Sequence, residues 1–272
     1  MVRILLNGAN GRMGRAIAEA AAECGCEIVA ACDVGANPAD FIADCDAAID
    51  FSFREATPAL AKLCAEHKKP LVIGTTGHTD AQRAEIVECA KSVPIVWAGN
   101  YSVGVNLLNY LTKVAATILD NSYDVEIVEM HHKHKKDAPS GTAKMLLRRV
   151  DPGGAYAVLN GREGRSGARG REIGVHAVRG GTVAGEHRLY FFGPMEELEL
   201  RHRADSREIF ALGALRAAGE RRLQLVERDL EVAGGLRQHV DVTAGRRDLE
   251  RLELLALALD VDRLARLHAE GG

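Results

Sequence analysis

The clearest indication of the fold is the segment Val2-Arg-Ile-Leu-Leu-Asn-Gly8-Ala-Asn-Gly11-Arg-Met-Gly14. Residues 2–6 are mostly apolar and predict a buried strand, and the Ala- and Glu-rich run 15–24 predicts a helix. Between them, Gly8 permits a tight turn, Gly11 lets the backbone approach a pyrophosphate, and Gly14 allows the helix to lie close to the sheet. The helix N-terminus adds N–H donors and a positive dipole. A glycine motif between a strand and a helix indicates a dinucleotide-binding turn, although an ordinary glycine-rich turn is the alternative.

A second predicted strand, 27–33, ends in Asp33, where a carboxylate can accept hydrogen bonds from the adenosine ribose. This carboxylate repels a 2′-phosphate, and the neighbouring Val34 is no cation, so the sequence favours NADH. NADPH stays open, because Arg12 or a distant arginine could hold the extra phosphate; Arg12 is equally explained as a solvated side chain. The predicted cofactor-binding residues of the turn and strand are Gly8, Ala9, Asn10, Gly11, Arg12, Met13 and Asp33.

The rest of the first hundred residues alternates strands and helices. Strands are predicted at 47–51, 70–74 and 94–98, and helices at 55–67 and 79–91. This alternation is typical of a parallel sheet with crossover helices, and it predicts an α/β protein with a Rossmann-type dinucleotide-binding domain.

Two loops follow strands at the edge of this sheet where ligands bind. The first contains Gly74, Thr75 and Thr76, and the second contains Ala98, Gly99, Asn100 and Tyr101. Gly, Thr and Asn are also ordinary turn residues. Because both loops follow parallel strands, we predict that they complete the cofactor cleft.

The pattern changes after residue 101 and predicts a second, α+β domain with an open mixed sheet. Beyond a long helix at 103–119, the predicted elements are strands at 124–130, 173–178, 187–192 and 196–202, helices at 142–150 and 206–218, and a Gly- and Arg-rich loop at 151–171. We predict a dinucleotide-binding domain at 1–101, with 213–272 packing back on it. Residues 102–212 are predicted to form the substrate-binding and tetramerisation domain.

Composition excludes several classes of protein. Apolar residues make up 47% and charged residues 27%, as in ordinary globular proteins. No run approaches the roughly 18 apolar residues of a membrane span. The net charge of −3 argues against a nucleic-acid binder. All six cysteines precede residue 90 and are expected to be small buried side chains, with a redox or metal role as the alternative. With a strand predicted to start at residue 2, we expect no signal peptide and a cytoplasmic location.

The segment from Glu129 to Thr142 contains the densest chemistry in the chain. Three histidines and three lysines lie within six positions, from His131 to Lys136. The lysines would repel a metal ion, so no metal site is expected. A solvated charge run is one interpretation. The other is a pocket that binds an anion and donates a proton, because histidine titrates near neutral pH. Ser140, which precedes a predicted helix with its neighbour Gly141, can cap that helix or hold a carboxylate.

The pattern Glu129-x-His131-His132-x-x-Lys135-x-Asp137-Ala-Pro-Ser-Gly141-Thr142-Ala resembles the signature of the dihydrodipicolinate reductases of bacterial lysine and diaminopimelate synthesis. The resemblance covers residues 1–218. Further similar segments lie at 8–14, 74–77, 100–106, 161–164, 172–176, 179–181, 185–187 and 202–207.

This resemblance implies an NADH- or NADPH-dependent reductase of a cyclic imino dicarboxylate. It implies that His131 is the acid/base residue, either transferring the proton or only setting the field, and that Lys135 is the proton donor. It further implies that His132 and the Gly141–Thr142 backbone hold substrate carboxylates, with Ser140 beside them. The family is typically tetrameric through the sheet of the second domain. The alternatives are another two-domain dehydrogenase or a nucleotide-sensing protein, and a sensor would need neither Lys135 nor His131.

The sequence departs from the family pattern in its tail. Residues 219–272 lack the usual closing motif and carry a Leu-, Arg- and acid-rich segment at 249–267. We expect this tail to pack on the nucleotide domain, with a partner-binding helix as the alternative. His67, His78, His239 and His268 are expected on the surface or in loops. His176, His187 and His202 are expected as hydrogen-bonded strand residues, with direct substrate contact as the less favoured alternative. A contribution of Arg203 and Arg207 to the positive field of the pocket is likewise the less favoured interpretation.

Overall fold

The computed structural model describes residues 1–219, and these contain two five-stranded sheets. Residues 220–272 lie outside the described residues, and with them most of the segment predicted to pack back on the first domain. Within residues 1–219, no helix has both the length and the apolar character that a membrane crossing requires.

The first sheet is wholly parallel, with the strand order β2-β1-β3-β4-β5. Three helices, α1 to α3, connect its strands. In chain order the elements are β1 (Val2–Asn7), α1 (Arg12–Ala20), β2 (Cys26–Cys32), β3 (Ala47–Asp50), α2 (Thr57–Glu66), β4 (Leu71–Ile73), α3 (Asp80–Ala90) and β5 (Ile95–Trp97).

The second sheet is mixed, with the order β10-β9-β6-β8-β7. Strand β6 lies at its centre, parallel to β8 and antiparallel to β9. In chain order the elements are α4 (Val103–Leu119), β6 (Asp124–His131), α5 (Gly141–Val150), β7 (Ala157–Leu159), β8 (Glu172–Arg179), β9 (Gly185–Phe192), β10 (Glu197–Ala204) and α6 (Glu208–Gly219). The predicted α/β class, with a Rossmann-type sheet and a second mixed sheet, is confirmed.

Two local predictions needed correction. Helix α1 begins at Arg12 rather than at residue 15, because Gly11 already serves as its N-cap with an extended backbone. The loop 151–171 contains the short strand β7, which pairs with β8. Its residues are mostly exposed, so they show none of the apolar alternation that reveals a strand in a sequence.

Both faces of the first sheet are covered, as parallel sheets require. On one face, α2 and α3 bury an apolar cluster that includes the fully buried Cys32, Cys45 and Cys64. On the other face lie α1, through Ile17, and α6, through Leu215. Helix α6 therefore returns the chain from the second sheet to the first, which closes the two sheets into one compact unit.

Candidate active site

The glycine turn between β1 and α1 has the shape that a pyrophosphate requires. Gly8 has a φ of +84°, and a Cβ there would lie 2.4 Å from the Phe51 carbonyl oxygen. A Cβ on Gly14 would lie 2.2 Å from the carbonyl oxygen of Gly8. No side chain caps the N-terminus of α1, whose N-cap is Gly11. The turn therefore leaves a tight backbone cradle at an uncapped helix N-terminus, which fits a dinucleotide phosphate.

Asp33 is fixed beside this cradle by two backbone donors. The N–H groups of Asn10 and Val34 each donate to its carboxylate at 2.8 Å. These bonds, with Val34 the larger contributor, lower the pKa of Asp33, so the carboxylate stays charged. Val34 is 90% exposed, and Arg12 is also exposed. The geometry thus leaves a negative charge beside the glycine turn, at the position predicted for the adenosine ribose.

The loop after β4 is held in place by the buried Asp50, which binds the side chain of Thr75. Its carboxylate accepts hydrogen bonds from Asn7 Nδ2 at 2.9 Å, Thr57 Oγ1 at 2.7 Å and Thr75 Oγ1 at 3.0 Å. The side chain of Thr75 therefore points into the protein, and only its backbone is left for a ligand. Thr76, the next predicted cofactor residue, is exposed.

The loop after β5 joins the two sheets. Tyr101 is buried, and its hydroxyl group lies 2.8 Å from the Ile73 carbonyl oxygen and 2.9 Å from that of Val96, so its side chain ties β4 to β5. Asn100 Nδ2 donates to Thr142 Oγ1 at 3.2 Å. The structure thus places a predicted cofactor residue in contact with a predicted substrate residue. Ala98 is half-buried and Gly99 is exposed in the same loop.

His131 lies in a buried network of charges at the end of β6. Its Nδ1 atom lies 2.5 Å from Oε2 of Glu129, a fully buried carboxylate. Arg179 on β8 donates to both oxygens of Glu129, at 2.7 and 2.8 Å. Burial raises the pKa of Glu129, but the hydrogen bonds from His131 and Arg179 outweigh it and bring the pKa down to about 2.

The residues before α5 are held by the same network. The N–H of Ser140 donates to Glu129 Oε1 at 3.0 Å. Ser140 also caps α5, because its Oγ accepts from the N–H of Ala143. Ser140 Oγ also lies 3.1 Å from Nε2 of His187, which is buried against the His131 ring. Gly141 is exposed and Thr142 is half-buried at this helix N-terminus, so their N–H groups can face an anion.

Lys135 and His132 occupy the loop between β6 and α5. The Lys135 ammonium lies 2.9 Å from Asp137, and its side chain is largely covered. Arg207 Nη2 lies 3.0 Å from His132 Nε2. Within residues 1–219, Arg207 forms no ion pair with a carboxylate. Lys135 and His132 therefore belong to the loop that leads into α5, and Arg207 adds a second cation beside His132, an arrangement that would stabilise a dianion.

Sequence reasoning missed Glu129, Arg179 and His187 as members of this site. The signal for Glu129 was available, because residues two apart on a strand point to the same face, as Glu129 and His131 do. Arg179 and His187 enter through the register of β6 with β8 and β9, which pairs His131 with Arg179 and Glu129 with His187. The pairing register of these strands cannot be read from the spacing of motifs in the sequence.

His78 lies in the loop after β4, which agrees with the expectation of a surface or loop position. It is buried, and its ring packs edge-on against Trp97 with centroids 4.9 Å apart. Burial lowers its pKa. Within residues 1–219, no group of three or more His, Cys, Asp or Glu side chains is arranged to hold a metal ion.

Two family sequence models match this chain. One, described as dihydrodipicolinate reductase, N-terminus, matches residues 2–101, and the other, dihydrodipicolinate reductase, C-terminus, matches residues 104–230. The chain belongs to the dihydrodipicolinate reductase family. This confirms the resemblance seen in the motifs and the expected enzyme class, an NAD(P)H-dependent oxidoreductase.

Relatives within the family share much of the chain. The 4-hydroxy-tetrahydrodipicolinate reductase of Akkermansia muciniphila is 50% identical over 224 residues, covering 80% of this chain and 91% of the relative. That of Thiobacillus denitrificans is 45% identical over 245 residues, covering 80% and 92%. A solved dihydrodipicolinate reductase from Paenisporosarcina sp. TG-14, bound to dipicolinate, superposes with a TM-score of 0.69 at 26% identity, covering 83% of this chain and 97% of that one.

Proposed function

We propose that this protein reduces 4-hydroxy-tetrahydrodipicolinate to tetrahydrodipicolinate with NADH or NADPH, in the synthesis of diaminopimelate and lysine. The hydrogen bond between Asn100 and Thr142 carries the proposal, because it joins the predicted cofactor segment to the predicted substrate segment. A reductase needs this proximity, since the group that gives the hydride must lie against the ring that accepts it.

The cofactor is held by the first sheet. The uncapped N-terminus of α1 receives the pyrophosphate, and Asp33 accepts from the adenosine ribose. The backbone of the two loops, at Gly74–Thr76 and Ala98–Tyr101, holds the nicotinamide half, because Thr75 and Tyr101 turn their side chains inward. When bound, the nicotinamide supplies the hydride. Asp33 favours NADH over NADPH.

The substrate is held by the loop between β6 and α5. The N–H groups of Gly141 and Thr142 bind one carboxylate at the start of α5, and Ser140 fixes that helix start. His132, with Arg207 beside it, faces the second carboxylate. Two carboxylates explain why this loop gathers cations.

Lys135 and His131 handle the proton. The 4-hydroxyl group of the substrate and a proton from the adjacent ring carbon leave together as water, which creates a carbon–carbon double bond. The hydride adds to one carbon of this bond, and the Lys135 ammonium donates a proton to the other and becomes a neutral amine. Lysine can do so because it can lose a proton, whereas arginine stays charged. His131, next to the buried Glu129, acts as the acid/base residue of the pair.

Residues 1–101, with 213–272, form the cofactor domain in this proposal, and residues 102–212 form the substrate and tetramerisation domain. The protein is a cytoplasmic homotetramer that assembles through the open face of the second sheet. Support comes from Val178 and Phe192, which are exposed on that face. Light scattering on the purified protein tests the assembly.

Cofactor oxidation with freshly prepared substrate tests the activity. The wild type should oxidise NADH, and more slowly NADPH, only when substrate is present. Lys135→Ala should lower kcat by roughly 10²–10⁴-fold, the usual contribution of a positioned proton donor, with cofactor affinity little changed.

Lys136→Ala is the matched control, because it removes an exposed charge from the same loop. It should cost far less activity than Lys135→Ala. No oxidation by the wild type would refute the proposed reaction, and equal losses in the two variants would refute the role of Lys135.

A further inference from the structure

The carboxylate of Glu129 is the point at which the parts of the candidate site meet. Its Oε1 atom accepts from the N–H of Ser140 and from Arg179 Nη2, and its Oε2 atom accepts from His131 and Arg179 Nη1. The side chain is fully buried. One carboxylate therefore connects the end of β6, the end of β8 and the start of α5.

The donors around Glu129 decide which nitrogen of His131 carries the proton. An ionised carboxylate only accepts hydrogen bonds, so His131 Nδ1 must be the donor in the 2.5 Å contact. In the neutral ring, Nε2 then keeps its lone pair, and this nitrogen lies on the side of Gly185. Consequently, His131 can take up a proton at Nε2, and it can donate one from Nε2 only after it has become a cation.

Arg179 connects the same carboxylate to the loop of Lys135. Its Nη2 atom also donates to the Asp137 carbonyl oxygen at 2.7 Å, and the Asp137 carboxylate pairs with Lys135 at 2.9 Å. The guanidinium compensates the charge of Glu129, since its side chain is only 19% exposed and reaches both carboxylate oxygens. Without it, Glu129 would be a buried and unbalanced charge beside His131.

We propose that Glu129 and Arg179 form a charge-compensated pair of positioning residues that fixes the Nδ1-protonated form of His131 and sets the charge that this histidine experiences. The catalytic part of this inference rests on the proposed function; the tautomer does not. Among the described residues, the charged and titratable groups around His131 are Glu129 from its own strand, Arg179 from β8, His187 from β9 and His132 from the following loop, while Lys135 of that loop acts on the neighbouring His187.

A spectroscopic test needs no substrate. In a long-range ¹H–¹⁵N spectrum of the intact protein, with His131→Asn identifying the His131 signals, the wild type should show the Nδ1-protonated tautomer at a pH where the ring is neutral. In Glu129→Gln, the side chain has only one oxygen, which we expect to accept from the Ser140 N–H and from Arg179. The amide nitrogen then takes the other position and faces His131. Its N–H makes Nδ1 an acceptor, so the proton should move to Nε2.

The chain offers a matched control on the other face of β6. Glu126 contacts His176 Nε2 at 2.7 Å and Arg162 Nη2 at 2.7 Å, which repeats the carboxylate–histidine–arginine grouping. Glu126→Gln should shift the His176 signals and leave those of His131 unchanged. An unchanged tautomer of His131 in Glu129→Gln would overturn the proposal, even if that variant were inactive.

The pH dependence of turnover provides the second readout. Where His131 must be protonated, kcat falls as the pH rises. Glu129→Gln removes the stabilising anion and should move this fall to lower pH, with kcat reduced roughly 10²-fold or more. Arg179→Gln leaves the anion uncompensated and should move the fall to higher pH. The expected shift is about one pH unit for each of the two variants, in opposite directions. Arg179→Lys keeps the charge but not the two parallel hydrogen bonds, so the pH of the fall should stay near that of the wild type even if kcat is lower.

These outcomes separate the two proposals. A wild type that never oxidises the cofactor refutes the reaction, while the spectrum still decides the tautomer. If kcat drops in Glu129→Gln and Arg179→Gln but the pH of the fall stays where it is in the wild type, the pair has only a structural role. Shifts of both variants in the same direction would likewise contradict charge compensation.

Discussion

Gly14→Ala adds one methyl group where the structure leaves no space for it. The new Cβ would lie 2.2 Å from the Gly8 carbonyl oxygen and 2.6 Å from Ala9 Cα. Both neighbours are backbone atoms, so no side chain can rotate away to relieve the contact. Helix α1 must therefore move away from the glycine turn, which opens the cradle that we assign to the pyrophosphate.

The size of the effect follows from two opposing terms. Alanine in a helix interior is favoured over glycine by about 1 kcal/mol. Overpacking costs about 1–3 kcal/mol, and the upper end applies here because the contact is more than 1 Å inside the ordinary separation of about 3.5 Å. We expect the free energy of unfolding to fall by about 2 kcal/mol. NADH affinity should fall with it.

Urea unfolding and calorimetric titration of NADH measure the two quantities separately. Gly11→Ala is the matched control, because its φ of −68° suits alanine and its Cβ would meet only the Gly8 oxygen, at 3.2 Å. That variant should keep its stability and lose affinity, since the methyl group obstructs the approach to the backbone. If Gly14→Ala unfolds at the same urea concentration as the wild type, the close-packing argument is wrong.

Three further predictions concern other parts of the chain. Burial, with His131 nearby, lowers the pKa of His187 to about 3, so its contribution to stability is complete above about pH 6.5 and falls by up to about 1.4 kcal/mol per pH unit as the pH drops toward 3. The free energy of unfolding, measured in urea, should therefore fall less between pH 7 and pH 5 in His187→Gln than in the wild type. An equal fall in both proteins would contradict this. Val34→Arg, at a 90% exposed position beside Asp33, should raise the kcat/KM ratio of NADPH to NADH by roughly tenfold, and an unchanged ratio would argue against the ribose site. Gly213→Ala, whose Cβ would lie 1.9 Å from the Tyr101 carbonyl oxygen, should lower Tm despite the higher helix propensity of alanine, and a raised Tm would refute the close approach.

The first sheet was predictable from the sequence because its signals are local. Alternating strands and helices, with Gly8, Gly11 and Gly14 at the first turn, specify a parallel sheet and its ligand-binding edge. The order of the strands and the identity of the fourth covering helix are not local. Helix α6 covers this sheet from a position more than a hundred residues further along the chain.

The candidate site was predictable as a set of segments but not as a set of contacts. Spacing identified the loops of Thr75 and Tyr101, yet only the folded chain shows that both side chains turn inward. The same limit hid Arg179. Its position opposite His131 depends on the register of β6 with β8, two strands separated in the chain by α5 and by the loop that contains β7.

The return of α6 to the first sheet has a consequence for motion. Within residues 1–219, the chain passes between the sheets twice, once from Tyr101 into α4 and once from Ala204 into α6. Ser102 and His202, which lie at these two crossings, are in contact at 3.3 Å. Because these two crossings are adjacent, we expect the easiest relative movement of the sheets to be a hinge rotation about them, which would open or close the contact between Asn100 and Thr142. Cofactor and substrate would bind on opposite leaves of that hinge, and each would favour the closed arrangement for the other.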